Sequence, residues 1–146
     1  MFRGQFYHTI DPKGRLSIPA KFREALADGH GEKLVIAPIT NSLQVHPHKM
    51  WEELERKVSA LPRFDEDARK LRYFFLSLGQ DVALDSQGRI QISADYRERV
   101  GLVKNVVVVG AIEHFEVWSA ERWIAYGQAH GEPVEAIFNR LGPKGV

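Results

Sequence analysis

Asp11-Pro-Lys-Gly-Arg15-Leu-Ser-Ile18-Pro-Ala-Lys-Phe22-Arg23-Glu-Ala-Leu26 returns later as Asp85-Ser-Gln-Gly-Arg89-Ile-Gln-Ile92-Ser-Ala-Asp-Tyr96-Arg97-Glu-Arg-Val100. The offset is 74 throughout, and the acid, glycine, arginines, alternating aliphatics and aromatic all fall in register. A repeat decides architecture before any single motif does. Two copies are too few for a solenoid, so the chain reads as one body built from two similar halves.

Working outward, His8 and Ile10 pair with Val82 and Leu84 at the same offset. Leu34–Ile39 aligns with Val107–Ile112 at an offset of 73, and Leu43–Val45 followed by Trp51 with Phe115–Val117 followed by Trp123 at 72. One residue is thus lost at each of two loops, where losses are tolerated. This places the two repeats at 5–47 and 78–119, a helical insert at 48–77 and a helical tail at 120–146.

Within each unit the pattern reads β-β-α-β-β. Phe6, His8 and Ile10 alternate as on a half-buried strand. Asp11-Pro-Lys-Gly is turn chemistry, after which Leu16 and Ile18 resume the alternation, predicting a hairpin. Pro19 suits the start of a short helix carrying Phe22, Ala25 and Leu26, and Asp28-Gly-His-Gly ends it. Lys33–Ile39 and Leu43–His46 are strands. In the second unit Ser93 serves as helix cap and Gly101 as terminator. Register puts Phe22 and Tyr96 in the core.

Between the units, Trp51, Leu54, Val58 and Leu61 form one helical stripe that Pro62 stops. Asp65 caps a second, with Ala68, Leu71, Phe75 and Leu78 as its stripe. Phe74 lies beside that stripe and is a candidate subunit contact. After the second unit, Ser119 caps a helix through Trp123 and Ile124. A further short one from Pro133 is expected to bury Val134, Ile137, Phe138 and Leu141. The helical stretches look unduplicated, and the tail from Gly142 reads as disordered.

A four-strand unit of about forty residues cannot bury enough apolar surface to offset its chain entropy, and its strand edges invite aggregation. Pairing two copies solves both problems. The expected fold is therefore mainly β with helices, an α+β barrel of two ββαββ repeats related by a pseudo-twofold axis.

Composition narrows function by exclusion. The 146 residues contain no cysteine, so there is no disulfide framework or thiolate chemistry. No apolar run approaches a membrane span, and the start lacks a signal-peptide pattern, so a cytoplasmic setting is expected. The net charge of +1 hides an asymmetry. Residues 1–26 carry Arg3, Lys13, Arg15, Lys21 and Arg23 against Asp11 and Glu24, whereas 85–100 carry three arginines against three acids.

The doubled Asp-x-Lys/Gln-Gly-Arg pattern with its Ile-x-Ala-x-Phe/Tyr-Arg continuation, the length and the helical insert resemble the MraZ family. The resemblance covers nearly the whole chain. It implies two AbrB-like swapped-hairpin half-barrels and a bacterial, nucleoid-associated transcriptional regulator of the division and cell-wall gene cluster. It also implies ring-shaped homo-oligomers that bind short direct repeats of double-stranded DNA. The second copy departs from the pattern: Ser93 stands where a proline is usual, and uncharged Gln87 where the first copy has Lys13.

On this reading a hairpin tip with Lys13 and Arg15 around side-chain-free Gly14 approaches the phosphate backbone. Arginine's fork can also sit bidentate on a guanine edge. Lys21 and Arg23 hold neighbouring phosphates. The full candidate DNA set is Arg3, Lys13, Gly14, Arg15, Lys21, Arg23, Gln87 and Arg89. Asp11 and Asp85 are assigned to structure, because a capping acid paired to its own arginine is the plainer explanation of each turn.

Other chemistries fare worse. His46-Pro-His48 is the only close histidine pair and reads as a strand-to-helix junction, so no metal or cofactor is expected. Paired aspartates in a duplicated barrel suggest an aspartic protease, but that dyad needs Asp-Thr/Ser-Gly turns and a shared proton. Here arginines follow both acids and keep them ionised. With no phosphate loop or Ser/His/Asp grouping either, no enzyme and no small-molecule substrate are expected. The closer competitor is an antitoxin-like interaction module, the role the same half-barrel serves elsewhere.

Overall fold

The computed structural model describes residues 1–28 and 33–146. The first half holds strands β1 (Gln5–Thr9) and β2 (Arg15–Ser17), helix α1 (Ala20–Ala27), and strands β3 (Lys33–Pro38) and β4 (Ser42–Pro47). Helices α2 (His48–Ser59) and α3 (Glu66–Phe74) and a 3-10 turn (Leu76–Leu78) follow. The second half repeats the order with β5 (Gln80–Ala83), β6 (Arg89–Gln91), α4 (Ala94–Val100), β7 (Asn105–Ala111) and β8 (His114–Ser119). Helices α5 (Ala120–His130) and α6 (Val134–Leu141) come next. Beyond Asp28, the stretch read as the terminator of α1 lies outside the described residues.

Six strands form one antiparallel sheet in the order β1-β7-β8-β4-β3-β5, while β2 and β6 form a separate two-stranded ribbon. The order is unchanged when the halves are exchanged, which is the pseudo-twofold symmetry expected. Each half lends its first strand to the other: β1 pairs with β7, and β5 with β3. The expected β1–β2 hairpin therefore closes only at its turn, where Asp11 N–H bonds to the Arg15 carbonyl at 3.1 Å. Beyond that point β2 leaves to pair with β6. The reason is energetic: strands shared across the axis join the two halves in one ladder, whereas local hairpins would leave two small open sheets.

Sheet and ribbon enclose the main core. Leu16 and Ile90 from the ribbon meet Leu34, Ile36, Val106 and Val108 from the sheet, with Phe22, Leu26, Tyr96 and Val100 from α1 and α4. Phe2, Phe22 and Phe115 pack edge-to-face or tilted at centroid distances of 5.1–5.3 Å, tying the chain start, α1 and β8 together. Burying one such ring is worth about 1.5–3 kcal/mol. Phe22 and Tyr96 are core residues as expected.

The pairing refines the repeat. Leu34 lies opposite Val82, and Val106 opposite His8. Because His8 and Val82 are counterparts, Leu34 corresponds to Val106 and not to Val107 as the alignment at 73 has it. Leu34, Ile36, Val106 and Val108 all face the main core, whereas Val35 and Ala37 turn the other way. A one-residue slip would reverse every one of these faces. Both lost residues therefore fall between α1 and β3, and none in the β3–β4 loop.

The helices correct three further expectations. First, α2 begins at His48 and α5 at Ala120, each directly after the last strand of its half and 72 residues apart, so this helix is duplicated after all. Second, Leu61 lies beyond the end of α2, and Phe75 has left α3. Phe75 joins Leu76 in packing on Val35, Ala37 and Trp51, which covers the outer face of the sheet in half one. Third, α6 buries none of its residues, with Val134 at 59% and Phe138 at 55% exposure. The segment after it forms a 3-10 turn, Gly142–Lys144, and is not structureless. The caps are as read: Asp65 accepts from Ala68 N–H, Ser93 from Tyr96 N–H and Ser119 from Arg122 N–H.

Candidate nucleic-acid interface

Each turn is built round its aspartate. Asp11 Oδ1 accepts from the amides of Lys13 and Arg15, both at 2.9 Å, and Oδ2 pairs with Arg15 Nε at 2.5 Å. Asp85 repeats the arrangement with the amides of Gln87 (2.8 Å) and Arg89 (2.9 Å) and with Arg89 Nε at 3.0 Å. The Arg15 amide is the main reason that Asp11 titrates below the usual carboxylate range, and the Arg89 amide does the same for Asp85. Both acids are thus committed to structure. Each arginine meets its aspartate through Nε, and among the described residues no bond occupies either of the Arg15 or Arg89 Nη groups.

Gly14 departs from expectation. It is buried at φ +84°, and a Cβ there would collide with the Ile92 carbonyl and lie 2.9 Å from Arg97 Nε. The missing side chain makes room for the other half of the protein and does not face outward. Gly88 is its counterpart at φ +73°, pressed against Arg23.

The ribbon decides what faces solvent. Leu16 and Ile90 point into the core, so their neighbours point out. Register sets Arg15 across from Gln91 and Ser17 across from Arg89. This leaves a narrow polar strip carrying two arginines, with the turns at its two ends about 10 Å apart. Lys13 and Lys21 are exposed and have no acidic partner among the described residues. Arg23 is partly occupied, its Nε donating to the Ile18 carbonyl at 3.1 Å. The counterpart of Lys21 is Asp95, which pairs with Arg99 at 3.5 Å. The first half therefore supplies both unpaired lysines, Lys13 in its own turn and Lys21 on α1, which packs through Arg23 against Gly88 of the second turn.

Of the candidate residues, Lys13, Arg15, Gln87 and Arg89 come together on the ribbon and its turns, flanked by Lys21 and Arg23 on α1. Arg3 does not join them; it lies at the far end of β1, about 16 Å of strand away. The sequence reading missed Ser17, Gln91 and Arg97. Their alternation with buried Leu16, Ile90 and Ile92 could have flagged the first two as outward-facing.

Elsewhere, His46 stacks on His114 at 4.7 Å, and His114 reaches Glu116 at 3.1 Å. Burial pushes His46 down to about 4, with His114 adding to the effect and Glu116 opposing it. Burial alone would raise Glu116, but donors from His114, Trp118 and Ser42 outweigh it and hold the acid low. No group of three metal-ligating side chains occurs among the described residues. Nor is any helix among them long and apolar enough to cross a membrane.

Comparison with known proteins agrees with this architecture. The chain matches the family described as "MraZ protein, putative antitoxin-like" twice, over residues 1–74 and 75–142. The chain belongs to the MraZ family. Each MraZ segment ends with a pair of helices, α2–α3 and α5–α6, in line with the duplicated helix seen in the fold. The chain is 43% identical to the transcriptional regulator MraZ of Moorella thermoacetica over 142 residues, which is 97% of this chain and 96% of the relative. It is 41% identical to that of Heliobacterium modesticaldum over the same shares. With the MraZ of Roseiflexus castenholzii it shares 44% over 84% of each chain.

Proposed function

We propose that this protein is a sequence-specific DNA-binding regulator of transcription. Its targets would be short direct repeats in the promoter of a bacterial division and cell-wall gene cluster, its own included, and it would act at the nucleoid. One observation carries the reading: an outward two-stranded ribbon bearing Arg15 and Arg89, with unpaired Lys13 in the turn at one end and unpaired Lys21 on α1 beside the turn at the other. A major groove admits a two-stranded ribbon, and arginine is the side chain best suited to a guanine edge there. The names of the relatives, transcriptional regulators all, agree with it.

A single chain offers about four basic contacts. Each neutralised phosphate contributes a slope of only about −0.9 in log K against log salt, so one copy binds weakly at cellular salt. Several copies on tandem sites would supply the rest through avidity. Two surfaces support such a ring. The face of α6 is apolar and unburied, although an eight-residue helix needs tertiary packing to persist. A groove of about 620 Å³ in half one is lined by Ile39, Leu54, Leu71, Phe74 and Leu78, with Phe74 71% exposed. A helix from half two of one copy entering a groove on half one of the next is a head-to-tail contact, the kind that forms a ring when the rotation between copies closes.

The same unburied α6 face suits a second reading, an antitoxin-like module that masks a foreign protein. DNA selection from a random library at two salt concentrations tests the first. Enrichment of a repeated motif, with affinity falling steeply as salt rises, is the expected result. A library that stays random, together with co-purification of one small basic protein, would favour the second.

A further inference from the structure

Three consecutive carbonyls of the first turn are held by the opposite half. Arg97 Nη1 donates to the Pro12 carbonyl at 3.3 Å, Gln91 Nε2 to the Lys13 carbonyl at 3.2 Å, and Ile92 N–H to the Gly14 carbonyl at 2.8 Å. Arg97 is itself anchored, its Nε donating to the Ile92 carbonyl at 3.1 Å.

The second turn lacks this treatment. Its Gly88 carbonyl accepts from Ile18 N–H at 3.0 Å, the counterpart of the Ile92 bond. The counterpart of Gln91 is Ser17, whose short side chain makes no bond to Gln87 among the described residues. Arg23, the counterpart of Arg97, anchors to the Ile18 carbonyl but makes no bond to Ser86 among them. The two turns share one backbone design, yet only the turn carrying Lys13 is braced at all three carbonyls.

We infer that Gln91 and Arg97 are positioning residues of the second half that hold the Lys13–Arg15 turn of the first in its DNA-reading conformation. Ordering a backbone residue costs roughly 1–2 kcal/mol, and a segment ordered before its partner arrives does not draw that cost from binding. A brace on the cationic turn raises DNA affinity; a brace on the neutral turn would do less. The inference rests on the DNA-binding role proposed above.

The variants that test it preserve charge: Gln91→Ala, and Arg97→Lys, which keeps the cation but loses the guanidinium fork. Amide hydrogen exchange of the DNA-free protein is followed over residues 13–15 and 86–89. Binding is then titrated against the duplex enriched by selection, at several salt concentrations. Exchange at 13–15 is expected to quicken about three- to tenfold, the equivalent of one neutral hydrogen bond, with 86–89 unchanged. Affinity falls by a similar factor while the salt slope stays that of the parent, because no phosphate contact is lost. Parent-like exchange in both variants overturns the brace. Weaker binding with a smaller slope, or with relaxed preference at one base pair, shows that the side chain touches DNA itself and also overturns it. Should the parent bind no duplex, the DNA reading fails, while the exchange measurement still decides whether the brace exists.

Discussion

The Asp11–Arg15 and Asp85–Arg89 turns are copies of one hydrogen-bonded design, yet they are unequal. Both fold an aspartate onto two amides and an arginine. Only the first carries a lysine, Lys13, and only the first is braced from across the axis by Gln91 and Arg97. The second has Gln87 in that place, while Lys21 of the first half lies on α1 beside the second turn. A single chain with two copies can divide labour in a way that an identical pair cannot: the shared backbone satisfies the fold, and side chains outside that design are free to diverge. The proposed function would then assign DNA reading chiefly to turn one and completion of the barrel to turn two.

The sharpest way to break this contrast is to remove each arginine in turn. Arg15→Ala is expected to abolish specific binding, a loss of at least about a hundredfold, since a bidentate guanine contact is worth about 1–3 kcal/mol in every protomer engaged. Fold and assembly should survive, because an exposed ion pair contributes about 0–1 kcal/mol. Arg89→Ala is expected to cost no more than about tenfold. Gel-shift titrations read the affinities, with circular dichroism and size-exclusion chromatography as controls. Equal losses from the two variants would end the division of labour.

The glycines test the structural side of the same comparison. Alanine at either position suffers a left-handed backbone, at about 1–2 kcal/mol. At Gly14 the new Cβ also meets the Ile92 carbonyl, part of the ribbon and unable to retreat, whereas at Gly88 it meets the flexible Arg23 side chain. Gly14→Ala should therefore destabilise by about 2–5 kcal/mol and Gly88→Ala by about 1–3 kcal/mol. Thermal melts of both variants measure the difference.

A third contrast lies on the outer face of the sheet. His46 in half one takes the place of Trp118 in half two, both following from the register of β4 with β8. A histidine whose value is lowered on folding stabilises fully above its unfolded value near 6.5 and loses that contribution as pH falls toward about 4. In that window the unfolded chain takes up a proton that buried His46 refuses. The expected loss is on the order of 3 kcal/mol across the interval. Urea midpoints at pH 7 and pH 4.5 should diverge for the parent and converge for His46→Phe. Trp118, at the matching position of half two, carries no titratable group.

What the sequence made legible was local chemistry. Asp11, Asp65, Ser93, Gly101 and Ser119 all do what their positions suggest, because a cap or turn is satisfied within four residues. Pairing was harder to read. Nothing near β1 says that its partner is β7, a hundred residues away. The four valines from 106 to 109 do not alternate, so they could not separate an offset of 73 from one of 72. The stripe on α6 announces that a face wants cover, but not that the cover lies outside the single chain. At the candidate site, Lys13 and Arg15 were visible as charge, while Gln91 and Arg97 gain meaning only once the strands are exchanged. Gly14 looked like room for a phosphate because its neighbour in space, Arg97, is distant along the chain.

The smallest effect is the most discriminating for charge. Lys13→Gln gives turn one the charge of turn two, and Gln87→Lys does the reverse; both side chains are exposed. If Lys13 neutralises one phosphate, its loss lowers the salt slope by about 0.9 per protomer bound, weakening all sequences alike without altering base preference. Gln87→Lys should add a comparable increment only if turn two also lies against the duplex. With turn two turned away, the added charge sits in solvent and the slope rises by much less. Titrations at four or five salt concentrations separate these outcomes. A slope unchanged in Lys13→Gln would remove the lysine from the interface and leave Arg15 as the only basic side chain that turn one contributes.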